Sequence, residues 1–115
     1  MSFVIKKEKS YIWPCTISEP IDGGGFNDQK VRVKFKMLSQ ARIDEIIKNE
    51  AEQDADILVD VLIGWDDEAF KDETGNNLPF NVDNKDLILS VPFVRNALIK
   101  GFFESVAGKQ FKRKN

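Results

Sequence analysis

Two stretches, Tyr11-Ile12-Trp13-Pro14-Cys15-Thr16-Ile17 and Val31-Arg32-Val33-Lys34-Phe35-Lys36-Met37, decide the fold. In the first, Tyr11, Trp13, Cys15 and Ile17 fall on one side of an extended chain; in the second, Val31, Val33, Phe35 and Met37 do the same. A period of two over seven residues is the pattern of a half-buried strand. The two runs are joined through Pro20-Ile21-Asp22-Gly23-Gly24-Gly25-Phe26-Asn27-Asp28, where glycines accept positive φ without steric cost and Pro20 ends the first strand. The pair reads as an antiparallel β-hairpin. Pro14 has no N–H to give a ladder, which puts the first strand at a sheet edge. Residues 3–6 leave room for a third short strand.

Beyond the hairpin the period becomes helical. Ser39 is placed to cap a helix carrying Ile43, Ile46, Ile47 and Ala51 at spacings of three and four. A wider stripe follows in Ile57, Leu58, Val61, Leu62 and Trp65, so Asp54 either caps a second helix or marks a bend in one long helix. Gly64 sits where helices stop. Asn81 can cap a short helix with Leu87, Ile88 and Leu89. Pro92 suits the first turn of a last helix with Val94, Ala97, Leu98, Gly101, Phe102, Ser105 and Val106 on one face, and Gly108 reads as its end. The expectation is an α+β domain, with a hairpin region over residues 3–38, a bundle of about four helices over residues 39–108 and a basic tail over residues 109–115.

Composition limits the function. The 115 residues suit one domain, and the 42% hydrophobic content with nine Phe and two Trp is enough for a core. Lys+Arg 17 against Asp+Glu 19 gives a net charge of -2, so the overall field does not attract nucleic acid or an anionic membrane. Neither the N-terminal residues nor the run from Ile57 to Trp65, broken by Asp60, reads as a signal peptide or a membrane span. A single cysteine, Cys15, rules out an internal disulfide and fits a reducing compartment. Histidine is absent, which removes the usual general base and the commonest metal ligand. Without a base, Cys15 is read as a packed side chain, and no catalytic residue, cofactor, metal or small-molecule substrate is expected.

Three constellations have functional readings. Lys30, Arg32, Lys34 and Lys36 share one strand face and could follow a phosphate backbone, but no aromatic interleaves them, and a solvated hairpin face is the preferred reading. The run from Asp66 to Glu73 invites calcium, but an EF-hand register counted from Gly75 puts Phe70 in the first ligand place and Asn81 in the last. A self-capped Asp72-Glu73-Thr74-Gly75 turn fits better. Trp13, Trp65, Phe80, Phe93, Phe102 and Phe103 are many large rings for a small chain; they read as core, with some left for an apolar patch that a partner or second copy covers.

Trp13-Pro14, Asp22-Gly23-Gly24, Val31-Arg32-Val33-Lys34-Phe35 leading to Leu38-Ser39, Gly64-Trp65, the Asp72 to Gly75 turn before Leu78-Pro79-Phe80-Asn81, Pro92, and the end from Gly108 to Asn115 occur in one order along the chain. Together they resemble the tail assembly chaperones of long-tailed bacteriophages and prophages, over almost the whole length. The resemblance implies a non-catalytic, self-associating protein of the host cytoplasm, absent from the mature virion. Its implied partners are the tape measure protein, which it keeps soluble, and the tail tube protein, which it helps recruit. Cys15-Thr16 departs from the more aliphatic strand expected of the family, and the stretch from Trp65 to Asp72 is longer than usual. The reading from a different class is a small nucleic-acid-binding regulator using the basic strand face and the C-terminal tail.

Overall fold

The computed structural model describes residues 2–5, 9–48 and 54–113, with side chains throughout except at 47, 48, 54–56 and 108–113. The hairpin forms as the alternation requires: β1 (Ser10–Pro20) and β2 (Phe26–Lys36) pair antiparallel from Ser10↔Lys36 to Pro20↔Phe26. Cys15, Ile17, Val31, Val33 and Phe35 are buried, while Pro14, Thr16, Arg32, Lys34 and Lys36 face out. Gly23 and Gly24 turn the chain at φ of 96° and 95°, a region that side chains disfavour.

Backbone bonds just beyond the two ends fix the ladder's phase. Met37 N donates to Lys9 O at 2.8 Å, and Ile21 N to Gly25 O at 3.0 Å. Both lie on the hairpin register, so the odd residues of β1 bond β2 and the even ones turn their N–H and C=O to the free edge. Pro14 is even. Its missing N–H therefore removes no ladder bond, and it blunts an edge that could otherwise recruit stray strands.

The third strand is β3 (Leu62–Trp65), on the other side of β2, giving the order β1-β2-β3. This corrects two expectations. Residues 62–65 do not continue a helix to a stop at Gly64, and Phe3, Val4 and Ile5 form no strand and lie exposed; Lys6 falls outside the described residues. The cause is tertiary. The even residues of β2 present backbone groups away from β1, and β3 takes them up, continuing into an Asp66 N to Arg32 O bond at 3.0 Å. Gly64 lies across from Lys34, where a Cβ would stand 3.4 Å from the lysine Cβ, and its φ is not positive. Four residues are too few to show a period of two, so the apolar run passed for helix.

Among the described residues, helical segments α1 to α4 complete the α+β fold. Ser39 caps α1 (Gln40–Lys48), its Oγ accepting from Arg42 N at 3.2 Å, and Ile43 and Ile46 point inward. Helix α2 (Asp54–Val61) buries Ile57, Leu58 and Val61. Whether α1 and α2 are one helix or two turns on residues 49–53, outside the described ones. Asn81 caps α3 (Val82–Leu89), its Oδ1 accepting from Asn84 N at 2.8 Å, and Pro92 opens the 22-residue α4 (Pro92–Arg113). Gly108 does not end α4: a helix-interior glycine costs about 1 kcal/mol relative to alanine, too little to stop a helix, and residues 109–113 continue it.

The helices are organised by the sheet. Helix α4 lies along β1, with α2 and α3 against α4 in turn, so the core is a helix-on-sheet layer, and the contacts do not establish the expected bundle of about four helices. Phe102 meets Phe35 edge to face at 5.4 Å, both fully buried, and Tyr11 OH shares a hydrogen bond with Ser105 Oγ at 2.7 Å. Gly101 makes the approach possible, since a Cβ there would fall 2.3 Å from Cys15 Sγ. Gly101→Ala is therefore expected to lower stability by about 1–3 kcal/mol. Adding Cys15→Ala should return part of that loss, because only the sulfur clashes; urea denaturation of the single and double variants reads the coupling.

Candidate partner-binding surface

The loop after β3 satisfies itself. Trp65 meets Phe70 and Phe80 edge to face, each at 4.9 Å, and its Nε1 donates to Leu78 O at 2.9 Å. One Asp72 carboxylate oxygen accepts from Thr74 N at 2.9 Å, Thr74 Oγ1 at 2.6 Å and Asn76 N at 3.0 Å. Gly75 supplies the positive φ of 86° that closes the turn. These bonds, led by the Thr74 hydroxyl, hold the Asp72 carboxyl below its ordinary range. An oxygen engaged in this way closes a turn, and among the described residues no group of three or more acidic or cysteine ligands converges.

The six candidate rings divide. Phe102 is buried in the core and unavailable to any partner without unfolding. Trp65 and Phe80 belong to the loop cluster, with Phe80 39% exposed and Lys85 Nζ 6.0 Å from its ring centre. Trp13 and Phe103 are half-buried where β1 meets α4, Trp13 edge-on to Tyr11 and Phe103 to Phe102. Phe93, also half-buried, lines a shallow cavity of about 400 Å³ with Ile17, Val31 and Phe70 near the hairpin turn. They do not make one patch.

Cys15 is 2% exposed, and burial, aided by the charge of Glu104, pushes its thiol up to about 12. It stays protonated, hence unreactive, at neutral pH. The basic stripe is in place: Lys30, Arg32, Lys34 and Lys36 all lie exposed on the outer sheet face, with Arg32 3.7 Å from Asp66.

An apolar groove of about 500 Å³ opens at the other end, between the start of β1, the β2–α1 connection and α4. Tyr11, Trp13, Met37, Leu38, Ile43 and Val106 line it, with Lys9 among its residues. Met37 and Val106 are 44% and 36% exposed. Sequence reasoning placed Met37 on the apolar face of the second strand, Val106 on that of the last helix and Leu38 before the Ser39 cap, and marked none of them as a site. The signal in the sequence was two consecutive apolar residues, Met37-Leu38, which break the strand's alternation just before Ser39 starts a helix.

Comparison with protein-family models, with curated proteins and with solved structures gave no significant match to this chain. Among the described residues, no helix is long and apolar enough to cross a membrane.

Trp65→Ala should cost about 2–3 kcal/mol, less than a fully buried ring, and thermal melts should show it without loss of the sheet. Asp72→Asn tests the turn. A carboxyl with a lowered folded pKa contributes stability that is present above its unfolded value of 3.8 and lost as pH falls through the folded value. The melting-temperature gap between wild type and Asp72→Asn should thus be present at neutral pH and close well below 3.8; a gap independent of pH would remove the charge from the account.

Proposed function

We propose that the protein is a tail assembly chaperone of a long-tailed bacteriophage or prophage. In this reading it binds the tape measure protein, keeps that long helical chain soluble in the host cytoplasm, helps recruit tail tube protein, self-associates and does not remain in the virion. The observation that carries the reading is the ordered motif series from Trp13-Pro14 to the C-terminal Gly108 to Asn115 segment. The groove supports it: an amphipathic helix needs an apolar channel and no cofactor, and Met37 and Val106 leave apolar surface there for one to cover.

Co-expression with the long helical tape measure protein encoded beside it is the test. That protein should move from the insoluble to the soluble fraction and co-purify with this one; unchanged insolubility would sink the proposal. The exposed Lys30, Arg32, Lys34 and Lys36 stripe favours one other reading, a nucleic-acid-binding regulator. Its mark would be DNA affinity falling steeply with salt and with alanine at those four positions.

A further inference from the structure

We propose that the segment Phe3-Val4-Ile5 of one copy of the chain fills the groove beside Met37 and Val106 in a second copy, adding a short strand to the start of β1, and that two copies exchange these arms reciprocally. The inference deepens the self-association of the chaperone reading and rests on that reading for the expectation that copies of the chain meet; the site itself is argued from the structure.

Two apolar features of the fold are left in water. Phe3, Val4 and Ile5 are 78%, 71% and 84% exposed, three consecutive side chains of high strand preference. The groove leaves Met37 and Val106 part-exposed, and Ile12, which also lines it, is 49% exposed. The backbones match as well. Ser10 and Ile12 turn their N–H and C=O groups to the free edge of β1, and Pro14, with no N–H to offer, interrupts that row. The open edge therefore runs over residues 10–12, the length of the arm. With Val4 across from Ile12, alternation sets Val4 beside that isoleucine on the outer face and sends Phe3 and Ile5 to the inner face, where Tyr11 and Trp13 line the groove.

Charge does not select against such an occupant. Lys9 lines the groove, Asp44 and Glu45 lie on α1 next to the lining Ile43, and Glu104 lies on α4 next to Ser105. Asp44 accepts from Gln40 at 2.8 Å, and Glu45 is 3.8 Å from Arg42. With both signs present, the site selects apolar shape and strand pairing, which the uncharged Phe3-Val4-Ile5 supplies. The geometry favours a second copy over the arm's own body. In the single chain the arm lies in water and not against its own β1, while Ile5 is tethered within roughly 14 Å of Lys9 at the groove. Two copies that meet at this end bring each arm to the other's groove, an isologous arrangement in which one patch serves both. One aromatic and two aliphatic side chains cover roughly 300–450 Å² per arm, so the exchange, counted on both surfaces of both sites, buries about 1,200–1,800 Å². Stable interfaces have that size. The groove holds the arm or a client helix but not both, so client entry releases the arm.

Analytical ultracentrifugation of the full chain is the test. Wild type should be a dimer at micromolar concentration. Phe3→Asp combined with Ile5→Asp should weaken dimerisation ~100-fold or more with the circular dichroism unchanged, because both side chains are exposed in the single chain. Met37→Asp combined with Val106→Asp, at part-exposed positions, should do the same from the groove side, and the milder Val106→Ser should act in the same direction. An equimolar mixture of the arm variant and the groove variant should form a heterodimer, since one intact arm then meets one intact groove. A monomeric wild type overturns the proposal, whether its arm stays in water or shows, by hydrogen-exchange protection at residues 3–5, that it folds on its own groove. So does a dimer that survives the arm variant. Two monomeric variants that fail to combine also overturn it, because they would set arm against arm or groove against groove. Co-expression separates the two readings. A wild type that dimerises and complements in this way but fails to solubilise the tape measure protein would keep the arm exchange and sink the chaperone. A monomeric wild type that solubilises that protein would do the reverse.

Discussion

The close approach of Gly101 to Cys15 is the constraint on which the rest of the structure depends. A long helix rests on a strand only as near as its bulkiest facing residue allows, and here the facing position has no Cβ. With the backbone brought down at that point, Phe102 reaches Phe35 and Ser105 reaches the Tyr11 hydroxyl. The same contact explains why the cysteine is inert. Enclosed by α4 on one side and the hairpin on the other, its thiol loses the water that would stabilise a thiolate.

From that line of contact the sheet is built outward. Val33 and Phe35 of β2 are fully buried, and β2 is the one strand paired on both sides. Its even residues carry the cations outside and send their backbone groups to β3, while its odd residues fill the core and bond β1. One strand thus holds the hydrophobic centre and the charged face at once, because side-chain and hydrogen-bond directions both alternate along it. The exposed cations on β2 are as much a result of that alternation as of any ligand.

Local chemistry was readable in the sequence where it acted alone. The Gly-rich turn, the Pro14 edge, the Ser39 and Asn81 caps and the Asp72 turn are decided within a few residues, and each lies where its side chain required. What depended on a distant partner was misread. Leu62 to Trp65 became strand because β2 had unpaired groups to satisfy, a need written in residues 32–34 and not in 62–65. The aromatic candidates failed for a related reason: ring size marks what a residue can bury, whereas which ring is already buried is set by packing, as Phe102 against Phe35 shows.

That distinction decides which surface is free to work. Trp65 has its indole N–H bonded and its ring edged by Phe70 and Phe80, so a partner would gain little by covering it. Met37 and Val106 have the opposite status. The first lies just past the end of β2, beyond the pairing that buries Val33 and Phe35; the second lies on α4 near the level where β1 begins. Both leave apolar area in water because an element ended and its partner did not. A groove formed by unequal lengths of two packed elements is open at one end by construction.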